Sequence, residues 1–382
     1  MEILVIILGL LISLTTVFAT TPLVLKLAVY MNWTDRPREK RKIHKTATPN
    51  VGGLAIFIGF IVGLTYFYFV QDLISIHYAA FYEFPSLLII AGAAGMVALG
   101  FYDDLYRIGF RTKFLFQIIG AVIAFWGGIQ ITEIVNPVTG NLIFLGAMSL
   151  PVTVFIMLGV INAVNLLDGL DGLAGGVVVI VLLTLSLTYV SLGNYALFPI
   201  VVVVAGSLIG FLRFNFYPAS IFMGDTGSMF LGYIVACYAV VGIGTATTAT
   251  STLIPFIAIG LPIMDTAMSM VRRLLSHKSM FDADSDHIHH RVISQLRISS
   301  RGAVMVLYTA SVVFGIIAFA LAHADAMLQT LLLFATFILV ALFLKILNYI
   351  KLPDSVTTMV DKHIVGRDKR EYKGRESEAE YY

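Results

Sequence analysis

Apolar residues fill long runs of this chain, and polar residues gather in the short stretches between them. A helix needs about 20 apolar residues to cross the hydrocarbon core of a bilayer, and about eleven runs approach this length. Because each helix satisfies its own backbone hydrogen bonds in lipid, we predict an all-α polytopic membrane protein. The predicted spans are residues 3–29, 51–70, 86–102, 113–128, 149–166, 173–190, 195–211, 228–244, 252–271, 302–322 and 327–350.

The segments outside these spans are short. No basic residue precedes the first apolar run, so we interpret it as a retained helix rather than a cleaved secretory signal. The runs IQITEIV and NLIFLGA flank residues 137–140, and this pattern predicts a small β-hairpin near residues 129–147. We therefore expect a single integral-membrane domain over residues 1–350 and a charged tail over residues 351–382.

Composition supports the membrane class. Hydrophobic residues make up 58% of the chain and charged residues only 13%, which is outside the usual range of soluble proteins. The single cysteine, Cys237, lies within an apolar run, which excludes an intramolecular disulfide and a cysteine zinc cluster.

The placement of charge predicts the orientation. In the arrangement of spans given above, all 25 lysine and arginine residues fall at one set of helix ends and loops, and the opposite loops contain none. Cytoplasmic loops of membrane proteins carry the excess of lysine and arginine. We therefore predict an external N-terminus, an external hairpin and a cytoplasmic C-terminal tail.

The most unusual polar stretch is NAVNLLDGLDGLAGG, residues 162–176, which separates two predicted spans. Asn162, Asn165, Asp168 and Asp171 recur every three residues, so on a helix each of these side chains neighbours the next. An aspartate at the bilayer centre costs about 2.5 to 3.5 kcal/mol on insertion scales. The stripe must therefore lie at a membrane face or line a wet cavity, and we interpret it as the wall of an active site.

Other polar motifs fall on the same predicted cytoplasmic face. They are PNVGG (residues 49–53), Asp103 with Asp104, GDTGS (residues 224–228) and DHIHHR (residues 286–291). Mg²⁺ prefers hard oxygen ligands, which Asp225 and Asn165 carry. Phosphoryl transfer also needs positive charge around the phosphorus, which Lys113, Arg291 and the histidines would supply. An apolar bundle beside such a site could deliver a lipid phosphate laterally.

Each motif also has a structural interpretation. The glycines of residues 162–176 would allow close helix packing, although packing does not need the aspartates. Asp103 and Asp104 would fit a solvated loop end paired with Arg107 or Arg111. In a different class of protein, a secondary transporter, intramembrane carboxylates would pass protons or cations.

The remaining motifs have structural alternatives too. GDTGS would fit a helix cap in which Asp225 or Thr226 accepts backbone hydrogen bonds. His287 and His290 have a spacing that permits binding of a metal ion. We interpret Asp265, inside the ninth predicted span, as a buried contact between helices and leave it out of the site.

The motifs PNVGG, Asp103/Asp104, NAVNLLDGLDGL, GDTGS and HIHH occur in the order and spacing typical of one enzyme family. The chain resembles the polyprenyl-phosphate N-acetylhexosamine-1-phosphate transferases. This family includes the UDP-GlcNAc:undecaprenyl-phosphate GlcNAc-1-phosphate transferases of enterobacterial antigen and teichoic acid pathways, and the phospho-MurNAc-pentapeptide transferase of peptidoglycan. The spaced HIHH is similar to the GlcNAc branch, whereas the MurNAc-pentapeptide branch tends to carry three consecutive histidines.

The resemblance implies that GlcNAc-1-phosphate passes from UDP-GlcNAc to undecaprenyl phosphate, with release of UMP. It implies a magnesium site in which Asp225 is the principal ligand and Asn165 the second, with Mn²⁺ as a substitute for Mg²⁺. Asp103 and Asp104 resemble the pair that handles the acceptor phosphate or its proton, and Lys113 resembles a phosphate-binding lysine. The matched nucleotide-binding positions are Asp168, Asp171, Asn215, Phe222 and Lys45. The matched positions that grip the diphosphate or sugar are His287, His289, His290 and Arg291.

The expected partners are UDP-GlcNAc, undecaprenyl phosphate and the lipid bilayer, with no nucleic acid, and related proteins suggest a homodimer. The expected location is the bacterial inner membrane, with the site at its cytoplasmic face. Two mechanisms stay open. In one, an aspartate, with Asp103 the first candidate, takes the proton of the acceptor, which attacks the β-phosphorus directly. In the other, Asp103 or Asp104 attacks first and forms a phospho-sugar enzyme.

Overall fold

A computed structural model describes residues 2–35, 48–70, 86–195, 197–275 and 287–349 of the chain. Two of the expectations above, the role of Lys45 and the charged tail over residues 351–382, lie outside these ranges. Residues up to Leu333 form one compact unit, and a second unit begins at Phe334. All the contacts discussed below lie within the first unit.

Helices dominate the described ranges, which confirms the all-α membrane class. They are α1 Glu2–Tyr30, α2 Gly53–Val70, α3 Ser86–Tyr106, α4 Phe110–Trp126, α5 Ser149–Leu167, α6 Leu173–Ser191, α7 Phe198–Asn215, α8 Gly224–Gly244, α9 Ala249–Ala258, α10 Gly260–Leu275, α11 Ile288–Leu296, α12 Ser300–His323 and α13 Ala326–Ile346. Each predicted span overlaps one of these helices or the α9 and α10 pair.

Length and hydropathy identify the helices that can cross a membrane. Within the described ranges nine helices meet both criteria, and α9 with α10 would form a tenth span bent by 81°. The remaining predicted span corresponds to α4, which is 17 residues long and carries Arg111 and Lys113 in its first turn. The prediction of about eleven spans therefore stays a prediction, as does the orientation.

Helix α8 occupies the centre of the bundle. Every residue from Thr226 to Ile243 is buried, and the helix packs against α3 on one side and α5 on another. Gly100 of α3 approaches the carbonyl oxygen of Asp225 so closely that a Cβ atom would overlap it. Small residues let helix backbones approach each other in this way. The GDTGS motif therefore begins a helix that its neighbours hold at close range.

Short strands occur at two places. Strands β3 Glu133–Val135 and β4 Leu142–Phe144 pair antiparallel, which confirms the predicted hairpin. Its location on the external side stays a prediction. Strands β1 Thr34–Asp35 and β2 Thr48–Pro49 also pair antiparallel. We did not predict this second pair because two residues are too few to show a strand pattern.

Candidate active site

Four side chains form a charged cluster where α3, α4, α5 and α8 meet. Lys113 of α4 makes ion pairs with Asp103 of α3 and with Asp225 of α8, whose Oδ2 lies 2.6 Å from the lysine Nζ. Asn165 of α5 donates hydrogen bonds to Oδ1 of Asp225 at 3.1 Å and to the hydroxyl of Ser228 at 2.8 Å. The Asp225 side chain keeps 27% of its surface exposed, so a reactant can reach it. We call Asp103, Lys113, Asn165 and Asp225 the Asp225 cluster.

Asp104 binds different groups from those that the adjacent Asp103 binds. Its Oδ1 accepts the N–H of Asp225 at 2.9 Å, and its Oδ2 accepts the N–H and the hydroxyl of Thr226 at 2.9 and 2.5 Å. These amides belong to the first turn of α8, where N–H groups have no partner within the helix. Asp104 therefore caps α8 from α3, and the alternative in which Asp225 or Thr226 caps its own helix is wrong.

The loop between α5 and α6 is bound to the loop between α7 and α8. Oδ2 of Asp171 accepts the N–H of Ala219 at 2.9 Å. Asn215 is buried, accepts the N–H of Gly172 at 3.1 Å and donates to the carbonyl of Ile221 at 2.9 Å. We call Asp171 and Asn215 the loop clamp. Asp171 binds the backbone of the loop between α7 and α8, and Asn215 binds the backbone of both loops.

The PNVGG motif holds the segment that leads into α8. The N–H of Phe222 donates to the carbonyl of Pro49 at 2.8 Å, and its carbonyl accepts the N–H of Gly52 at 2.9 Å. Asn50 also reaches Oδ1 of Asp104 at 3.4 Å. These bonds fix the backbone of Phe222 directly after Ile221, whose carbonyl binds Asn215 of the loop clamp. The side chain of Phe222 is half-buried.

The histidine motif lies against the stretch NAVNLLDGLDGL. The rings of His287 and His289 are parallel, with centroids 5.7 Å apart, and the ring of His290 lies 4.3 Å from that of His289. Gly169 touches the His289 ring so closely that a Cβ atom would overlap it. Glycine at this position of the DGLDG sequence thus permits the contact. Arg291 follows on α11 and is half-buried.

Asp265 holds this motif in place. It is fully buried on α10, and its Oδ1 accepts the N–H of Ile288 at 2.7 Å. Its Oδ2 lies 3.0 Å from Nδ1 of His287. The interpretation of Asp265 from the sequence as a buried contact between helices is confirmed, because it joins α10 to the start of α11. We left Asp265 out of the site, and the structure adds that both of its oxygens bind the histidine segment.

Burial shifts the pKa of two groups outside the spans in opposite directions. The pKa of Asp168 rises to about 7, because burial, and then the charges of Asp225 and Asp171, oppose its ionisation. The pKa of His289 falls to about 3, chiefly because burial and the neighbouring His290 oppose its protonation. At neutral pH His289 therefore offers hydrogen bonds and does not supply the positive charge that we expected of it.

The Asp225 cluster fits a divalent cation such as Mg²⁺. The carboxylate of Asp225 and the amide oxygen of Asn165 are hard ligands. The carboxylates of Asp103 and Asp225 already bind one cation, the Lys113 ammonium. In the described part of the chain, no group of three or more His, Cys, Asp or Glu side chains is arranged to hold a metal ion. Mg²⁺ needs only one or two protein carboxylates, because substrate phosphates and water complete its shell.

The five motifs therefore form one connected site, although they are far apart along the chain. Sequence reasoning left Asp265 out of this site and did not notice the buried Gln117. The amide of Asn162 donates to Oε1 of Gln117 at 2.8 Å, and this pair joins α4 to α5 one turn away from Lys113 and Asn165. The spacing of four residues between Lys113 and Gln117 could have revealed the shared helix face.

Carboxylates, a lysine and histidines brought together in a polytopic helical membrane protein are groups that can bind phosphate-containing substrates. The sequence pattern of glycosyl transferase family 4 matches residues 86–243, from the start of α3 nearly to the end of α8. Relatives extend this match over the rest of the chain. The chain therefore belongs to glycosyl transferase family 4.

Three of the relatives show how far the similarity extends. It is 34% identical to the probable undecaprenyl-phosphate N-acetylglucosaminyl 1-phosphate transferase of Bacillus subtilis (strain 168), over 95% of this chain and 98% of that protein. It is also 34% identical to the decaprenyl-phosphate N-acetylglucosaminephosphotransferase of Mycobacterium tuberculosis (strain ATCC 25618 / H37Rv), over 83% and 81% of the two chains. The phospho-N-acetylmuramoyl-pentapeptide-transferase of Thermoanaerobacter sp. (strain X514) is 30% identical over 63% of this chain and 72% of that protein.

Proposed function

We propose that this protein transfers GlcNAc-1-phosphate from UDP-GlcNAc to a polyprenyl phosphate, with undecaprenyl phosphate as the acceptor. The products are UMP and a polyprenyl-diphospho-GlcNAc. The observation that carries the proposal is the Asp225 cluster, which joins Asp103, Lys113, Asn165 and Asp225 from four helices. In a family 4 chain, this arrangement supports phosphoryl transfer between two phosphorylated reactants.

We propose direct attack by the acceptor as the mechanism. A phosphate oxygen of the polyprenyl phosphate forms a bond to the β-phosphorus of UDP-GlcNAc, while the bond from that phosphorus to the oxygen bridging the α-phosphorus breaks. The electron pair of the broken bond leaves with UMP. Asp103 takes the proton of the attacking oxygen when that oxygen carries one.

Asp104 is a poor candidate for either catalytic role. Both of its oxygens accept hydrogen bonds from Asp225 and Thr226, so its charge serves the start of α8. Asp103 has one oxygen on the N–H of Ile108, at 2.7 Å, and the other on Lys113. A carboxylate offers about four lone-pair sites, so Asp103 can still accept a proton while Lys113 remains bound to it.

Lys113 is suited to contact phosphate while it remains held. An ammonium has three N–H donors, and Asp103 and Asp225 engage two of them. The third can reach a phosphate oxygen and stabilise charge that develops during transfer. The histidines and Arg291 would contact the diphosphate or sugar of the donor, and the loop clamp with Phe222, Asp168 and Lys45 would bind its uridine.

We propose Mg²⁺ as the cofactor, with Mn²⁺ as a substitute. Asp225 and Asn165 would hold it, and the bound cation would neutralise phosphate charge as the bond to UMP breaks. The clustering of the carboxylates beside one lysine supports an enzyme rather than a transporter, in which such groups would line a path across the bilayer.

Two observations favour GlcNAc over MurNAc-pentapeptide as the transferred sugar. The histidine motif is the spaced HIHH, and the relatives named for GlcNAc transfer align over more of this chain than the Thermoanaerobacter relative does. We further propose the bacterial inner membrane as the location, a site facing the cytoplasm, and a homodimer as the assembly.

The test is turnover by the purified full-length protein in lipid nanodiscs. UDP-GlcNAc, undecaprenyl phosphate and Mg²⁺ should together yield UMP, and EDTA should stop the reaction until Mg²⁺ is restored. UDP-MurNAc-pentapeptide in place of UDP-GlcNAc should yield little UMP. Absence of UMP with UDP-GlcNAc would contradict the proposal, and stoichiometric UMP from donor without acceptor would favour the phospho-sugar enzyme.

A further inference from the structure

Asp265 is a buried acid that the reaction scheme above does not use. It lies on α10, five residues beyond the start of that helix at Gly260, where the axis turns by 81° from α9. Both of its oxygens bind the start of α11, on the far side of a long segment of chain. A buried carboxylate with two partners in one short segment fixes that segment strongly.

The contact between Asp265 and Nδ1 of His287 bears on the tautomer of the imidazole. An ionised carboxylate has no hydrogen to donate, so with Asp265 in that form the hydrogen of the 3.0 Å contact lies on Nδ1 of His287. The opposite ring nitrogen, Nε2, is then the atom that His287 can present to another group. Carboxylate partners commonly fix the tautomer and orientation of a functional histidine in this way.

The ring of His289 has the same orientation as the ring of His287. The ring of His289 lies parallel to that of His287, with an interplanar angle of 2°, and rests on Gly169 in the loop after α5. Nδ1 of His289 is buried and has no hydrogen-bond partner among the described residues. Buried polar atoms are normally paired, so this nitrogen is an exception among the described residues. We call His287 and His289 the histidine row.

We propose that Asp265 is the positioning residue of the histidine row. It keeps the hydrogen of His287 on Nδ1 and sets both rings against the loop that carries Asp168 and Asp171. Asp265 itself touches no reactant. This inference rests on the proposed function, because the row would act on the diphosphate or sugar of the nucleotide donor.

The competing explanation is that Asp265 only caps α11. The substitution Asp265→Asn separates the two roles, because its amide oxygen can still accept the N–H of Ile288. Its NH₂ group cannot accept a hydrogen from Nδ1 of His287, so the imidazole must change tautomer or turn. Thr266→Val is the matched control, since the adjacent hydroxyl is buried and has no hydrogen-bond partner in the described chain.

We expect Asp265→Asn to lower kcat/KM for UDP-GlcNAc by about 10- to 100-fold, as for other carboxylates that orient a functional histidine. Its Tm and its affinity for UMP should stay near those of the wild type, and Thr266→Val should have wild-type kinetics. Asp265→Asn added to His287→Ala should cause no further loss. Unchanged kcat/KM, or losses that simply multiply in the double variant, would overturn the inference.

A second measurement does not depend on turnover. Selective ¹⁵N-histidine labelling, with the His287 signal assigned from the His287→Gln variant, reports which ring nitrogen carries the hydrogen. The wild type should show a protonated Nδ1, and Asp265→Asn should shift this signal while Thr266→Val leaves it in place. An unchanged signal would refute the positioning role, whereas a wild-type protein that releases no UMP would refute the proposed function alone.

Discussion

The Asp225 cluster and the loop clamp use neighbouring residues of one sequence stretch, yet they are built from different bonds. Asn165 joins a cluster in which three charged side chains and its own amide, from four helices, bind one another. Asp171 and Asn215, by contrast, bind backbone groups of two loops. Side chains that bind each other can exchange partners for a phosphate or a cation, whereas bonds to the backbone hold a loop in one shape.

This difference separates chemistry from recognition. Loss of a side chain in the Asp225 cluster should mainly reduce turnover, because the helices that carry the cluster remain packed. Loss of a side chain in the loop clamp should reduce stability and donor binding together, because a backbone group is left buried without a partner.

The largest effect is expected for Asp225→Asn. The amide can keep a hydrogen bond near Asn165, and Asp104 still caps α8 through the backbone, so the protein should fold. It loses the charge that would hold the cation, and turnover should fall by about 1,000-fold or more. UMP release and thermal unfolding measure the two effects. Turnover within about tenfold of wild type would remove Asp225 from the metal site.

Asp103 and Asp104 should differ although they are adjacent. Asp103→Asn should lower turnover by about 100-fold or more with little change in Tm, because it removes a proton acceptor. Asp104→Asn should instead lower Tm, since one oxygen that caps α8 is replaced by a donor, at a cost of about 1 kcal/mol or more. Equal Tm values for the two variants would show that the cap contributes nothing.

Asn215→Ala tests the loop clamp. It leaves the N–H of Gly172 and the carbonyl of Ile221 without their partner, so we expect a loss of roughly 2 kcal/mol of stability. Binding of UMP, measured by calorimetry, should weaken as well. Ser220→Ala is the control, because it alters an exposed side chain of the same loop. Weaker UMP binding in both variants would argue against a specific role for Asn215.

The smallest effect concerns pH and His289. Its pKa is about 3 in the folded protein, against an ordinary value near 6.5. Between these values the unfolded chain binds a proton that the folded protein does not, so stability falls as pH is lowered through this window. The Tm of the wild type should therefore drop more between pH 7 and pH 5 than that of His289→Gln. Parallel curves would show that His289 does not titrate in this way.

The length of the apolar runs was enough to predict the helical class, and the predicted hairpin is present at residues 133–144. The pairing of β1 with β2 and the sharp bend before Gly260 were not predicted. Both depend on contacts between segments that are distant along the chain, and the local pattern of apolar residues does not predict such contacts.

In the candidate site, too, some features could be predicted from the sequence and others depended on the tertiary structure. The sequence by itself determined which residue types are present and which helix ends carry them, because polar groups in a membrane protein are confined to a few places by their solvation cost. Only the tertiary structure decided that Asp104 caps α8 while Asp103 pairs with Lys113, and that Asp265 holds His287. These assignments depend on distances of a few ångströms between different helices, and the packing of the bundle sets those distances.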